Sequence, residues 1–245
     1  MLPPRPAVFD DLAAEANPAN FAILSNNLRE LYPDGVVVAE LRGEGDPSLL
    51  MPAESSHLGR AVAKRVKEFA AGRQCARRAL AEFGMPHVPL EVAADRRPVW
   101  PAGVVGSITH TDGFCAAAVA EEPRFAALGI DTESARAVKP ELRNAICRPA
   151  EIAWLETLLE ADRTAAATLI FSAKEAFYKC QYPLTEQFLW FHDVEVQISG
   201  WGEARGEFAV SATKAIALAQ LSPLPLRGQY LMHQQFMTTA MCLPR

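Results

Sequence analysis

Two carboxylates in the stretch LGIDTES, Asp131 and Glu133, stand two residues apart in a run that begins apolar and ends polar. On a β-strand side chains alternate between faces, so this spacing puts both acids on one side. Like charges held that close repel unless a cation sits between them. An all-oxygen pair suits a hard divalent ion that shares its sphere with water and substrate phosphates, which points to Mg2+. The blander reading is a polar turn closing a buried strand.

A second charged group lies in FSAKEAFYK, where Lys174, Glu175 and Lys179 are interleaved with Phe171, Phe177 and Tyr178. Glu175 and Lys179 are i and i+4 on a helix, the favoured order for an exposed ion pair worth about 0.2–0.5 kcal/mol. Aromatic residues on both sides nevertheless set at least one of these charges at the edge of a packed surface. In GSITH, His110 sits beside a glycine-containing turn. A single histidine is more often structural than chemical, but beside cations it can donate to a phosphate oxygen. Such cations are concentrated between Arg60 and Arg97, where Lys64, Arg65, Lys67, Arg73, Arg77, Arg78 and Arg96 occur with few acids. They read either as solvated helix faces or as a site for a phosphorylated ligand or an acidic partner.

The elements that carry these groups follow from periodicity. From Ser55 to Gly84 apolar residues such as Val62, Val66, Phe69, Ala76, Leu80 and Phe83 recur at three- and four-residue intervals. This predicts amphipathic helix, divided at Gly72 and ended by Gly84 and Pro86. Turn residues Pro98, Pro101, Gly103 and Gly113 bracket β-prone runs at 104–109 and 114–119, a hairpin with His110 near its turn. RFAALGIDTES predicts a strand, and the stretch from Pro149 to Gln181 a long helical tract ending before Pro183. HDVEVQIS, GEFAVSAT and GQYLMHQQFMTTAM predict short strands of an antiparallel sheet. Helices with antiparallel strands in both halves indicate an α+β fold with a junction near Pro123.

The chain of 245 residues, half of them hydrophobic, is long enough for one large domain or two small ones. A net charge of -5 argues against wholesale nucleic-acid binding. Five scattered cysteines with no C-x-x-C pair suggest buried thiols in a reducing cytoplasm rather than disulfides or zinc. The opening MLPPRPAVFDDLAAEANPAN lacks the basic patch and apolar run of a signal peptide, and no later stretch offers a spanning helix. A cytoplasmic protein without a membrane partner is expected. Dinucleotide-binding, P-loop, HExxH and GxSxG signatures are absent. The residues alone therefore lead to a magnesium-dependent site for a phosphorylated ligand.

Taken in order, GRQCARRAL, RRPVWPAGVVGSITH, GIDTE and FSAKEAFYK resemble the 4'-phosphopantetheinyl transferases of the surfactin and enterobactin synthetase type, over roughly Gly59 to Lys179. The resemblance implies two α+β halves, 1–123 and 124–245, related by a pseudo-twofold, with the active site in the cleft between them. It implies transfer of the 4'-phosphopantetheine arm of coenzyme A to a serine of an apo acyl or peptidyl carrier protein, releasing adenosine 3',5'-bisphosphate. Asp131, Glu133 and Glu175 match the family's magnesium-binding acids, and Lys179 its phosphate-binding lysine. Thr109 and His110 match phosphate contacts, Arg97 a basic residue near the adenosine, and Arg73 the contact to the 3'-phosphate. Lys64, Arg65 and Arg77 fall in the same coenzyme A region.

Glu175, Lys179 and His110 are thus the implied catalytic groups, with Glu175 also a candidate base for the carrier serine, directly or through water. Thr132 departs from the pattern, standing where the family often has an aliphatic residue. A monomer is expected, and carriers of fatty-acid, polyketide, siderophore or nonribosomal peptide synthesis are all compatible. Two other readings compete: a coenzyme A- or carrier-binding protein without transfer, and a different magnesium-dependent enzyme that cleaves pyrophosphate.

Overall fold

An edge-to-edge meeting of two antiparallel sheets organises the chain. The computed structural model describes residues 26–213 and 225–245, so the reading of the opening segment lies outside the described residues. The first sheet holds β1 (Val36–Arg42), β2 (Val104–Thr111) and β3 (Phe114–Glu121) in the order β1-β3-β2. The second holds β4 (Phe125–Ser134), β5 (Val194–Ser199), β6 (Arg205–Ala212), β7 (Leu226–His233) and β8 (Phe236–Pro244) in the order β4-β8-β7-β6-β5. The helices are α1 (Asn26–Arg29), α2 (Pro52–Ser55), α3 (Ala63–Ala81), α4 (Arg143–Ile146), α5 (Pro149–Glu156) and α6 (Glu160–Thr185). The fold is α+β, with α3 packed on the first sheet and α6 on β4 and β8 of the second.

The edges that face each other are β2 and β4, and side chains rather than a backbone ladder join them. The Ile130 amide donates to Ser107 Oγ at 3.2 Å and the Thr132 amide to Thr109 Oγ1 at 2.8 Å. Below this seam a shared core takes Phe114 from β3, Leu128 and Ile130 from β4, and Phe236 and Ala240 from β8. A larger core under α6 is built on Leu169, Ile170, Phe177, Phe208 and Tyr230. Burying side chains of this size is worth about 1.5–3 kcal/mol each, so the acids on β4 stand on a well-packed floor. Among the described residues no helix is long and apolar enough to cross a membrane.

Several sequence expectations are corrected or refined. Helix α3 runs unbroken through Gly72, where a Cβ would meet the Ile108 Cγ2 of β2 at 3.2 Å; the glycine marks a close approach, not a break. Its start is also later than expected, since α2 and α3 are separated by non-helical residues before Ala63. The long C-terminal tract is two helices. Glu160 and Asp162 restart the chain as α6, whose first turn they favour through the helix dipole.

Pro183 does not end that helix. It lies in the last turn, and α6 closes at Glu186, which takes φ 52 and donates its amide to the Tyr182 carbonyl at 2.8 Å. GQYLMHQQFMTTAM is likewise two strands, β7 and β8, joined by a tight turn with Gln234 at φ 54. The hairpin around Gly113, by contrast, forms as expected, with His110 opposite Cys115.

Candidate active site

Gly129 is where β4 and α6 touch. A Cβ at this position would lie 2.0 Å from the Ala176 carbonyl oxygen, so only glycine lets the helix backbone settle so near the strand. The approach brings the part of α6 that carries Glu175 and Lys179 against the acidic end of β4. Lys179 Nζ donates to Asp131 Oδ1 at 2.7 Å and to the Ile130 carbonyl at 3.2 Å. Asp131 is buried, and its other oxygen, Oδ2, has no hydrogen-bond partner. Leaving such an acceptor unsatisfied costs roughly 1–3 kcal/mol, more for a charged group. A hard cation is the chemistry that satisfies a carboxylate oxygen so placed.

Glu133 shares the Asp131 face of β4 and is half-buried. Loss of hydration pushes its carboxyl up to about 7, with repulsion from Asp131 and Glu175 adding to this and Lys179 opposing it. Glu175 is also shifted upward, first by desolvation and then by Asp131, again against the pull of Lys179. Both glutamates thus feel the charge of Asp131. Among the described residues no three His, Cys, Asp or Glu side chains are already closed around one ligand point. Mutual repulsion of carboxylates opposes such closure, and what the side chains offer is an oxygen donor set in one electrostatic field.

Lys179 also faces a cleft of about 750 Å³ that is lined by Arg97, Trp100, Ser107, Tyr178 and Tyr182 among others. Arg97 is fixed at its rim by Asp95 at 3.0 Å and by Glu186 at the end of α6 at 3.2 Å. His110 is exposed beside the hairpin turn, its Nε2 2.8 Å from Arg65 Nη1 on α3. Desolvation, with Arg65 and Lys179 adding to it, holds the His110 pKa below its ordinary value. His110 and Lys179 therefore share one field. Lys64 and Lys67 line a smaller hollow of about 240 Å³ with His110, where they pair with Asp112 at 3.1 Å and Glu44 at 2.5 Å.

The other cations expected here are committed to the fold. Arg73 is buried; its Nε donates to the Leu90 carbonyl at 2.8 Å and its guanidinium lies 4.0 Å from the Phe69 ring centroid. Burial pulls its pKa down to about 10. The expectation that Arg73 meets a 3'-phosphate thus finds a guanidinium turned to a loop carbonyl instead. Arg77 Nη1 donates to both oxygens of the fully buried Glu54 at 2.7 Å, and that carboxylate also takes the Leu90 amide at 3.0 Å. Thr109 is buried as well, with its hydroxyl turned to the β4 amide across the seam.

Lys174 is resolved in the same way. Its Nζ is buried and donates to Glu151 Oε2 at 2.7 Å and to the carbonyls of Ile146 at 2.8 Å and Phe191 at 2.9 Å, filling all three donor positions. It locks α6 to the end of α4, to α5 and to the segment before β5, and leaves the neighbouring Glu175 toward the acids. Ser107 and Thr109 clamp β4 through their hydroxyls, a role whose only trace in the sequence is two hydroxyls at i and i+2 on a strand next to glycine. Tyr178 and Tyr182, stacked at 5.1 Å on the cleft wall, show only as an i, i+4 aromatic pair in sequence.

A sequence profile of the 4'-phosphopantetheinyl transferase N-terminal domain matches residues 53–120, and one of the 4'-phosphopantetheinyl transferase superfamily matches residues 127–232. The chain is 40% identical over 172 residues to 4'-phosphopantetheinyl transferase Npt of Nocardia iowensis, covering 69% of this chain and 75% of the relative. The chain belongs to the 4'-phosphopantetheinyl transferase superfamily. This transferase is also 33% identical over 219 residues to PptT of Mycobacterium tuberculosis, covering 86% and 93% of the two chains. To enterobactin synthase component D of Escherichia coli it is 37% identical over 153 residues, covering 62% and 68%. Arg65, Arg97 and His110 of the transferase fall in the first matched stretch. Its three acids and Lys179 fall in the second.

Proposed function

We propose that this transferase works at the seam of its two sheets, with Asp131, Glu133 and Glu175 holding Mg2+ and with Lys179, His110 and Arg65 meeting the phosphate oxygens of coenzyme A. Membership of the superfamily makes the reaction coenzyme A-dependent transfer of 4'-phosphopantetheine to a carrier protein. The observation that carries the metal reading is the buried Oδ2 of Asp131, which lacks a donor beside a lysine that satisfies only Oδ1. The bound ion would supply charge neutralisation on the pyrophosphate and hold it in line for attack.

The chain's own groups divide the remaining work. The carrier serine oxygen attacks the phosphorus that bears the pantetheine arm, and adenosine 3',5'-bisphosphate leaves. Lys179 places a fixed positive charge beside the phosphoryl group, and His110 with Arg65 extends it along the phosphates. Glu175 is the proposed proton acceptor for the serine hydroxyl, since burial and Asp131 raise its proton affinity and so its strength as a base. Arg97 stands at the rim of the cleft for the adenosine side.

The same reading divides the chain at 123/124, with coenzyme A contacts before and metal-binding acids after. It makes the protein a cytoplasmic monomer that needs no nucleic acid. Five cysteines, all free thiols, support a reducing compartment. The test is conversion of apo carriers to their holo mass by the protein with coenzyme A and Mg2+. Gain of the arm on at least one of a panel of acyl and peptidyl carriers is expected, and no gain on any of them sinks the proposal.

A further inference from the structure

Behind the acid pair runs a line of polar groups that the transfer chemistry does not use. Thr132 lies between Asp131 and Glu133, points to the opposite face of β4 and is fully buried. Its Oγ1 shares a hydrogen bond at 2.9 Å with Thr238 Oγ1 on β8, and Thr238 Oγ1 shares another at 2.8 Å with His233 Nε2. His233 ends β7, its ring edge-on to Phe114 of the first sheet with centroids 5.4 Å apart and tilted against Phe236 at 5.9 Å. On the other edge of β4, the Thr132 amide is held by Thr109. The one residue between the two acids is therefore gripped through its side chain from β8 and through its backbone from β2.

Stability alone does not call for this arrangement. Two buried threonines and an imidazole cost desolvation that apolar residues of the same shape would avoid, and saturating their hydrogen bonds offsets that cost at best. A polar line adds direction instead. Thr238 has one proton to give and so cannot donate to both neighbours, and each side-chain torsion is set by the next partner. Burial, with Arg42 adding to it, pushes the His233 pKa down to about 4, so at neutral pH the ring is uncharged with one donor and one acceptor nitrogen.

We propose that His233, Thr238 and Thr132 are positioning residues that set the orientation of β4, so that Asp131 and Glu133 present their carboxylates together for the cation. The proposal rests on the magnesium reading of those two acids. It accounts for a threonine where an aliphatic residue would pack equally well, and it ties the metal strand to the first sheet through the His233–Phe114 contact.

The test is direct Mn2+ binding in the presence of coenzyme A, read from the EPR signal of the free ion, in the parent protein and in three variants. His233→Phe keeps a ring and removes the hydrogen bond; Thr132→Val keeps the shape and removes the hydroxyl; His233→Gln keeps a polar atom near the Nε2 position. The first two are expected to bind Mn2+ about tenfold more weakly. They should raise the Mg2+ half-saturation for transfer by a similar factor, with the KM for coenzyme A at saturating Mg2+ changed less than about twofold. His233→Gln should recover most of the affinity. A role in packing alone would lower the Tm and leave Mn2+ binding untouched, so parent-like affinity in folded Thr132→Val overturns the proposal, whether or not His233→Phe folds. A parent protein with no saturable Mn2+ binding overturns the metal reading itself, and this proposal with it.

Discussion

Lys179 Nζ lies 2.7 Å from Asp131 Oδ1, while Oδ2 of the same carboxylate is buried without a donor. The lysine comes from α6 and the aspartate from β4, and they meet because Gly129 lets the two backbones close together. One oxygen is neutralised by the protein and the other is the one proposed to meet a cation. Lys179→Met should therefore lower kcat about a hundredfold, the scale seen when one preorganised charge at a reacting phosphoryl or carbonyl is removed. A kcat within threefold of the parent at saturating substrates and Mg2+ would remove Lys179 from the chemistry.

Glu133 gives the site a pH dependence. Its carboxyl titrates near 7 in the metal-free protein, against about 4.3 for a free glutamate. A raised acid is carried protonated at low pH, so cation binding below 7 must displace a proton. Mg2+ affinity should climb as pH rises from 6 to 8 and then level off, and Glu133→Gln should flatten the profile. The same shift makes the metal-free protein less stable as pH rises from the free-glutamate value through 7, because the buried carboxyl is then forced to ionise. Calorimetric Mg2+ titrations at pH 6 and 8 check the first expectation, and a parent profile without slope would count against it.

Lys174 and Glu175 are neighbours in sequence with separate duties. Lys174→Met strips the counter-charge from the buried Glu151, which also accepts the amides of Val196 at 2.7 Å and Arg148 at 2.6 Å. Breaking a buried pair from one side costs about 3–5 kcal/mol. Urea unfolding should show that loss, while kcat/KM per folded molecule stays within a few-fold. Lost turnover at unchanged stability would reverse the assignment.

Two arginines of α3 should also separate. Arg77→Ala leaves Glu54 buried and unpaired and should destabilise the protein by about 3 kcal/mol. Arg65→Ala removes an exposed guanidinium beside His110 and should leave the Tm in place while raising the KM for coenzyme A. Equal effects of both on stability would place Arg65 in the fold as well.

His233 predicts acid sensitivity. Its folded pKa of about 4 lies below the ordinary value of about 6.5, so its contribution to stability is complete above 6.5 and is lost as pH falls toward 4. The parent Tm should drop more steeply over that window than the Tm of His233→Phe; parallel curves would show that the imidazole carries no such linkage.

The sequence made several of these features legible because they are local. Asp131 and Glu133 share a face by the two-residue period of a strand, and the Gly113 turn sets His110 at the hairpin end. Two glycine and proline signals misled for the opposite reason. Gly72 stays inside α3 because β2 needs the space, and Pro183 stays inside α6, where it withdraws one i→i−4 donor, because the chain leaves the helix only at the left-handed Glu186.

Periodicity and motif order were enough to give the α+β class, the hairpin, the acid strand and the family. They left the cations of α3 undivided. Arg65, Arg73 and Arg77 sit on one helix with similar neighbours, yet one faces His110 and the others face Leu90 and Glu54. Which role each takes depends on partners far along the chain, and burial converts a guanidinium into a structural donor only where a carbonyl or carboxylate is brought to meet it. The same holds for Lys174, whose three acceptors come from separate segments, and for Asp131. Its Oδ2 is buried without a donor only once the tertiary structure has packed around β4.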